Sequence, residues 1–433
     1  MKLKESVSFV VTGDSFITRR NMQNKSQSFY ELKDIICKGD VKFTNLEVTT
    51  HDFEGYPHAF SGGTWAIAEP NVLKDIKAFG FNLVNCANNH AMDYSEGGLL
   101  ATIEHLKQEM LPYAGIGKHL AEASKPAYIE TENGRIALVA ATTTFHESWM
   151  AGEQRKDMKG RPGVNGLRIN SEYTVEKKYY DSLKSLVRRI DINAQYNLDV
   201  KEGFAVEKEN VLKFGQYDFV EGTENKSYRY PHNQDKTRII KSIMEAKRQA
   251  DFVLVSIHSH EMEDEDKSKP AEFMKQFARE CIDAGACAIL GHGPHILRGI
   301  EIYKHCPIFY SLGNFIFQND TVAYLPADFY NKYSLSGDCD VAEALHVRNK
   351  DNTIGLGVNP YVWESVIAHF VMDIHGLKSI ELYPIDLGFD LPPYRRGWPA
   401  LSHNERIVDR LAQLSAEFGT KIVTSEDGGM IKL

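Results

Sequence analysis

Five short polar clusters along the chain carry the side chains best suited to bind metal ions. Each cluster follows an apolar stretch typical of a buried strand, such as Val7–Val11 or Phe81–Cys86. In open α/β sheets, ligands bind in the crevice at the carboxyl ends of the strands, so we expect the clusters to converge. They consist of Asp14; Asn45 and Glu47; Asn89 and His90; His258 and His260; and His292 and His295.

These residue types favour a transition-metal site with oxygen and nitrogen ligands. Carboxylates, an amide and several imidazoles suit Mn, Fe or Zn. A mixed set of six ligands drawn from these clusters is too many for one tetrahedral ion. We therefore expect two divalent ions that share a bridging carboxylate. Two ions about 3.5–4 Å apart can activate a water molecule and clamp the attacking and leaving oxygens.

His90 is the candidate general acid beside the metal ions. Asn89 can offer its amide oxygen as a ligand, which leaves the neighbouring imidazole free for proton transfer. Asp93 stands three residues further on and can orient that imidazole. His90 and Asp93 are therefore the predicted catalytic residues.

The elements between the clusters predict a sheet whose loops gather at one end. The strand Asp251–Ile257, a helix and the strand Ala286–Leu290 have the pattern of a βαβ crossover. A right-handed crossover joins parallel strands, so His258 and His292 are expected at the same end of the sheet. One further strand is predicted over residues 310–317.

Residues 146–235 differ from the rest of the chain because they are more charged and contain one clear amphipathic helix, around residues 175–190. We expect this stretch to be an insertion or lid. Strands and helices resume after it, and residues 330–433 are expected to complete a single domain that spans residues 1–433.

Composition and charge limit the partners of the chain. Its 433 residues include 50 Lys and Arg against 59 Asp and Glu, a formal net charge of −9. A general nucleic-acid binder normally carries a basic excess, so we expect no nucleic-acid partner. No apolar run approaches the ~18 residues of a membrane span, and the N-terminus lacks a signal-peptide core. The chain is therefore predicted to be cytoplasmic, without a membrane span.

Several short motifs of this chain also occur, in the same order, in a known family. They are Gly13-Asp14, Asn45-Leu46-Glu47, Ala87-Asn88-Asn89-His90-x-x-Asp93, the His258 loop, Gly291-His292-Gly293-Pro294-His295 and Ser311-Leu312-Gly313-Asn314-Phe315. Together they resemble the poly-γ-glutamate capsule synthesis (CapA-type) family of the calcineurin-like metallophosphoesterase superfamily. The resemblance is weakest over residues 146–235. It implies an α/β fold, a four-layer metallophosphoesterase-like sandwich of two mixed β-sheets flanked by helices, with an insertion.

Carried over residue by residue, the resemblance gives roles to seven positions. Glu47 would be the bridging carboxylate and His90 the catalytic histidine. The implied metal ligands are Asp14, Glu47, Asn89, His258, His292 and His295.

Three departures from the superfamily pattern concern the same site. The first motif is usually Asp-x-His, but here Ser15 and Phe16 follow the aspartate, so His260 is the candidate for the missing imidazole. The last motif is usually Gly-His-x-His, whereas here two residues separate the two histidines. The carboxylate that follows the catalytic histidine stands three residues on rather than next to it.

Several residues keep two interpretations. Arg19 and Arg20 either bind an anionic group of the substrate or form a solvated helix face. His260 and Glu261 either reach the metal ions or the substrate, or belong to a solvated loop. Asn45 is a further candidate for metal or substrate contact, Asn314 either shares that role or shapes a turn, and His295 either binds metal or contacts substrate.

These observations predict a metal-dependent hydrolase in which a metal-bound hydroxide attacks a phosphoester or a γ-glutamyl-type amide. The resemblance links it to poly-γ-glutamate capsule biosynthesis and implies a small-molecule or γ-glutamyl polymer substrate. The alternative is a non-catalytic component of polyglutamate assembly or export, which binds polymer or partner proteins and keeps its metal site for structure.

Overall fold

The computed structural model of the chain describes residues 6–21, 26–425 and 428–432. It divides into two compact units, one of residues 1–167 and 237–433 and the other of residues 168–236. Among the described residues, no helix combines the length and the apolar character that a membrane span requires.

The first sheet of the larger unit is mixed and has ten strands within the described residues. Its central strand, Val7–Phe16, runs parallel to Val41–Leu46 on one side and antiparallel to Glu364–Asp373 on the other. The strand order is Ile422–Ser425, Gly428–Ile431, Gly376–Asp386, Glu364–Asp373, Val7–Phe16, Val41–Leu46, Leu83–Asn85 and Tyr113–Ala114, with Ala400–Leu401 beside Gly376–Asp386 and Asn314–Phe317 beside Val7–Phe16.

The second sheet is also mixed and has six described strands. The strand Phe252–His258 runs parallel to both of its neighbours, Gly134–Thr142 and Ala288–His292. The strand order is Leu297–Tyr303, Cys306–Leu312, Ala288–His292, Phe252–His258, Gly134–Thr142 and Ala127–Thr131. Three short two-stranded ladders join Gly163–Val164 to Ile116–Gly117, Met262–Glu263 to Asp266–Pro270, and Thr49–Thr50 to Ile67–Ala68.

The two sheets pack face to face through the alternating side chains of their strands. Phe9 of the central strand meets Phe252 of the second sheet edge to face, with ring centroids 5.8 Å apart. Its neighbour Val10 points to the opposite side and joins a second apolar cluster with helices such as Val72–Phe79. This period of two is what a strand buried on both faces requires.

Helices cover the outer faces of the sheets. Helix Glu272–Asp283 packs along Ala288–His292 of the second sheet. The helices of the described residues are Gln27–Ile36, Val72–Phe79, Ser95–Gln108, Leu120–Ala123, Lys177–Val187, Ala194–Glu202, Asn233–Gln249, Glu272–Asp283, Ala327–Lys332, Val341–Arg348 and Glu405–Ala416. The larger unit is thus an α/β arrangement of two mixed sheets flanked by helices, as the sequence predicted.

The single strand predicted over residues 310–317 is wrong. The chain leaves the second sheet after Cys306–Leu312 and enters the first sheet as Asn314–Phe317. Gly313 makes the switch with a φ of 77°, a left-handed conformation that glycine adopts without steric cost. A Cβ at Gly13 would lie 1.8 Å from the Gly313 carbonyl oxygen, so both glycines permit this close crossing.

The smaller unit, residues 168–236, has its own sheet. Its four strands stand in the order Leu212–Phe214, Tyr217–Gly222, Ile169–Glu176 and Lys226–Pro231. The amphipathic helix predicted around residues 175–190 is Lys177–Val187, whereas the sheet was not predicted. Asn193 and Asp235 are its only buried residues among those described, so this unit has little apolar core.

Candidate metal centre

Five of the six predicted ligands come together where the two sheets meet: Asp14, Glu47, His258, His292 and His295. Strand register places Asp14 beside Asn45 in the first sheet and His258 beside His292 in the second. The strands continue through these residues, so several predicted loop residues are strand residues. Within 4.8 Å of one another, potential ligand atoms form three overlapping groups: Asp14, His258 and His292; Glu47, His258 and His260; and Asp14, Glu47 and His295.

Asp14 is held firmly by the protein around it. Its Oδ1 accepts a hydrogen bond from the Asn45 amide at 2.7 Å, and its Oδ2 accepts one from the Gly293 backbone N–H at 3.0 Å. The same Oδ1 lies 3.5 Å from His292 Nδ1 and 3.8 Å from His258 Nδ1. Complete burial raises the pKa of Asp14 to about 7, against the lowering effect of these hydrogen bonds.

His292 is oriented in the same way. Its Nε2 lies 2.7 Å from Ser256 Oγ, and its Nδ1 lies 2.9 Å from His258 Nδ1. Burial lowers the pKa of His292 to about 3, so the imidazole is neutral at physiological pH. A hydrogen bond from Nε2–H to Ser256 leaves the Nδ1 lone pair for a cation, as in other metal-binding histidines.

Glu47 contrasts with Asp14. It is buried, and neither carboxylate oxygen has a hydrogen-bond partner among the described residues. Its Oε1 lies 3.6 Å from His258 Nε2 and 3.8 Å from His295 Nε2. Burial raises the pKa of Glu47 well above its usual value, and the nearby carboxylates of Asp14 and Asp93 add to the effect.

Asn89 presents another buried oxygen that no described residue contacts as a donor. Its Nδ2 donates to the Gly62 carbonyl at 3.0 Å, which fixes the amide, while no described residue donates to its Oδ1. An amide oxygen fixed in this way is a suitable metal ligand.

Two further histidines belong to the cluster. His260 Nε2 lies 3.1 Å from His258 Nε2, and His260 forms a possible ligand group with His258 and Glu47. His295 Nδ1 lies 2.8 Å from Asn314 Oδ1, so its Nε2 is the nitrogen left on the side of Glu47. Burial lowers the pKa of His295 to about 3 and that of His260 well below its usual value.

His90 and Asp93 form a buried pair beside these ligands. His90 Nδ1 lies 2.6 Å from Asp93 Oδ2, and His90 acts electrostatically on Asp14 and His258. Asp93 is itself fixed by the backbone N–H groups of Gly62 and Ala66, at 3.0 and 2.7 Å. With Nδ1–H bound to the carboxylate, Nε2 is the atom free for proton transfer.

The remaining predicted residues have other contacts. Asn45 and Asn314 act as hydrogen-bond partners of Asp14 and His295. Glu261 accepts hydrogen bonds from the hydroxyl groups of Ser259, Thr143 and Thr144. Arg20 forms a salt bridge with Asp75, and Arg19 donates to the Tyr394 carbonyl.

Arg298 and Ser256 are site residues that sequence reasoning missed. Arg298 is 1% exposed and donates to the backbone carbonyls of Lys267, Ser259, His260 and Glu261, which fixes the loop after His258. An arginine within a strand gives no sequence signal for this role. Ser256 could have been found, because it lies two residues before His258 on the same face of the strand.

The donor set fits divalent transition-metal ions. Each of the three groups combines carboxylate oxygen with imidazole nitrogen, the ligands preferred by Zn, Mn and Fe. Within the part of the chain that the structure describes, the buried oxygens of Glu47 and Asn89 Oδ1 have no donor, and a cation would compensate for that loss. The residues present therefore suit a metal centre, and they define the chain as an α/β protein with a candidate metal-ligand cluster at the ends of its strands.

Sequence comparison identifies the family. A family model described as "Bacterial capsule synthesis protein PGA_cap" matches residues 8–319, which include every predicted ligand. The chain therefore belongs to the bacterial capsule synthesis protein family PGA_cap, and the resemblance to the capsule synthesis family is confirmed.

Individual relatives fall into two kinds. The uncharacterized proteins y4sH and y4uA of Sinorhizobium fredii (strain NBRC 101917 / NGR234) are each 33% identical over 99% of this chain and 94% of their own lengths. The PGA biosynthesis protein CapA of Bacillus subtilis (strain 168) is 29% identical over 57% of this chain and 45% of that protein.

Proposed function

We propose that this chain is a metal-dependent hydrolase with a metallophosphoesterase-like sandwich, and that it acts in capsule biosynthesis. One observation carries the proposal: the buried cluster of carboxylates and imidazoles lies beside the His90–Asp93 pair. Structural metal sites are usually closed and have no proton-transfer group beside them, so this combination favours catalysis.

Two divalent ions, Mn, Fe or Zn, would be held by Asp14, Glu47, Asn89, His258, His292 and His295, with His260 as a further ligand. When bound, such ions supply Lewis acidity that activates water and polarises a phosphoryl or carbonyl group. Glu47 would be the carboxylate shared by the two ions, as the resemblance implies, and it belongs to two of the ligand groups, one with His258 and His260 and one with Asp14 and His295.

His90 holds the proton that the leaving group needs. Asp93 keeps Nδ1 protonated and stabilises the positive charge when Nε2 is also protonated. From Nε2, the proton passes to the leaving oxygen of a phosphoester or the leaving nitrogen of an amide. The name of the Bacillus subtilis relative supports a γ-glutamyl-type amide or polymer as substrate, and the metal site is equally suited to a phosphoester.

The decisive experiment combines metal analysis with hydrolysis assays. The purified full chain should contain a transition metal and hydrolyse p-nitrophenyl phosphate, bis(p-nitrophenyl) phosphate or γ-glutamyl-p-nitroanilide when Mn, Fe or Zn is added. In His90→Gln we expect the rate to fall by about 10²–10⁴ with unchanged metal content. His369→Gln is the matched control, because His369 lies in a strand of the first sheet and pairs with Glu381.

A well-folded chain that binds no metal and shows no metal-stimulated hydrolysis would contradict the proposal. The non-catalytic alternative predicts a different result. In that case His90→Gln would retain both its metal and its ability to complement a capsule-deficient strain.

A further inference from the structure

Lys267 is a half-buried cation that no predicted role has used. It lies in the short hairpin formed by strands Met262–Glu263 and Asp266–Pro270, which follows the His258 loop. Among the described residues, none forms a hydrogen bond or an ion pair with the Lys267 ammonium. Because the side chain is not fully buried, the ammonium can obtain its hydrogen bonds from water or from a bound ligand.

Arg298 fixes Lys267 next to the loop after His258. Its guanidinium donates through Nε to the Lys267 carbonyl at 2.9 Å and through Nη2 to the His260 carbonyl at 3.3 Å. One rigid guanidinium therefore holds the two backbone positions side by side. The side chains are close as well. Burial is the main cause that lowers the pKa values of His260 and His295, and the positive charge of Lys267 adds to the lowering of both. The ammonium thus lies on the side of the cluster that these two histidines form.

The charge of Lys267 is not balanced by its neighbours. Burial lowers its pKa, and the neighbouring charge that acts on it is a second cation, Arg298, which lowers it further. Arg298 differs in this respect. Burial lowers its pKa to about 10, but the carboxylates of Glu261 and Asp266 oppose that effect. These carboxylates compensate Arg298, whereas Lys267 has no such compensation among the described residues. An anion is therefore the partner that this edge of the cluster lacks.

We propose that Lys267 binds an anionic group of the substrate and so positions the substrate beside the metal cluster. This inference rests on the proposed hydrolase function and narrows its substrates to anionic ones. The anionic group is an oxyanion, either a phosphate oxygen of a phosphoester or the free α-carboxylate of a γ-glutamyl compound. An ammonium suits both as a compact positive charge with three donors. Lys267 is then a specificity-determining residue, and proton transfer stays with His90.

Two pairs of substrates, each differing in charge, test this role. γ-Glutamyl-p-nitroanilide has an α-carboxylate that 4-aminobutyryl-p-nitroanilide lacks, and p-nitrophenyl phosphate has a second negative charge that bis(p-nitrophenyl) phosphate lacks. In Lys267→Met we expect KM to rise about 10-fold or more for the more charged member of the pair that the wild type hydrolyses. The other member should change less, and metal content should stay the same. An effect in the first pair identifies a carboxylate, and an effect in the second identifies a phosphate.

The variants separate charge from structure. Methionine keeps the apolar stem of the lysine, and Arg298 binds the backbone carbonyl of residue 267, so this anchor remains in Lys267→Met. Lys267→Gln is a second neutral variant, and Lys267→Arg, which keeps the charge, should recover most of the affinity. Lys269→Met is the matched control, because Lys269 lies two residues away in the same hairpin, is 50% exposed and pairs with Asp266.

Binding without turnover separates this inference from the hydrolase proposal. In isothermal titration calorimetry of the full chain, we expect saturable binding of inorganic phosphate or of L-glutamate. Lys267→Met should weaken it about 10-fold or more, and Lys269→Met should not. If binding depends on Lys267 but no substrate is hydrolysed, the hydrolase proposal fails and the anion site stands. The anion site is overturned if neither anion binds, or if the folded neutral variants bind as tightly as the wild type.

Discussion

The two sides of the metal cluster are prepared differently. In the Asp14 group, formed by Asp14, His258 and His292, both the carboxylate and His292 are tied to groups outside it, through Asn45, Gly293 and Ser256. In the Glu47 group, formed by Glu47, His258 and His260, neither carboxylate oxygen has a hydrogen-bond partner among the described residues.

This difference indicates that the protein stabilises the ligands of the Asp14 group, whereas a bound cation stabilises those of the Glu47 group. Hydrogen bonds orient the ligands of the Asp14 group before any metal binds, so little ordering remains for the ion to induce. A buried carboxylate without donors is unfavourable in the metal-free chain. We infer that the Asp14 group gives the tighter and more preorganised metal position, while the Glu47 group depends more on the bound ion for its stability.

His258 joins the two groups, so its loss should have the largest effect. It belongs to both sets of potential ligands, with Nδ1 near Asp14 and Nε2 near Glu47. In His258→Ala we expect metal content to fall at both positions and the affinity of each to decrease by about 100-fold or more. Elemental analysis after dialysis and calorimetric titration with Zn or Mn measure both.

The control for this substitution is His369→Ala, which removes an imidazole from the first sheet without touching the cluster. Retention of one full metal equivalent in His258→Ala would show that the groups do not share this ligand. The inference that His258 links the two metal positions would then be wrong.

Removing a partner of a ligand should have a smaller effect, confined to one side. Ser256→Ala deletes the hydroxyl that lies 2.7 Å from His292 Nε2 and leaves every ligand in place. Loss of such a hydrogen bond typically weakens metal binding by about 10–100-fold. In a titration we expect the tighter step to weaken and the other to remain unchanged. Ser259→Ala is the control, because Ser259 Oγ donates to Glu261, which is in none of the three ligand groups. A loss on both steps would mean that the Asp14 group is not separately preorganised.

The sequence predicted the part of this site that depends on strand ends. Asp14, His258 and His292 were found from apolar runs followed by polar residues, because period-two patterns and crossover geometry determine where such residues lie. The change of sheet at Gly313 could not be predicted from such patterns. A strand that changes sheets at one glycine has the same apolar pattern as a continuous strand, yet this switch brings Asn314 beside Asp14.

Arg298 shows a second limit of sequence reasoning. Its role depends on the carbonyl groups of the loop after His258 and of Lys267, and backbone positions carry no signature in side-chain types. The sheet of residues 168–236 was missed for another reason. Its strands are only partly buried, so the apolar alternation that predicts strands elsewhere is weak there.

The smallest expected effect is on thermal stability, and it distinguishes Glu47 from Asp14 in the metal-free chain. Burial raises the pKa of Glu47 well above its usual 4.5. Between pH 4.5 and this raised pKa, the folded chain therefore holds a proton that the unfolded chain has released. The free energy of unfolding therefore falls as pH rises through that window. Glu47→Gln removes this decline, so its advantage over the wild type should grow from near zero at pH 4.5 to a Tm increase of about 2 °C or more at pH 8.

Asp14→Asn should show the opposite sign in the same thermal scans. The pKa of Asp14 is raised to about 7, so some benefit of neutralisation exists here as well. However, the new amide can satisfy only one of the two donors that now bind the carboxylate, Asn45 Nδ2 and the Gly293 N–H. His292 and His295 are neutral, and their pKa values lie near 3. They make the free energy of unfolding rise with pH, which is opposite in sign to the effect of Glu47. Because the wild type and both variants share these histidines, their contribution cancels when the Tm values are compared. If both substitutions shift Tm in the same direction, hydrogen bonding does not distinguish the two sides, and the asymmetry must come from the metal ions alone.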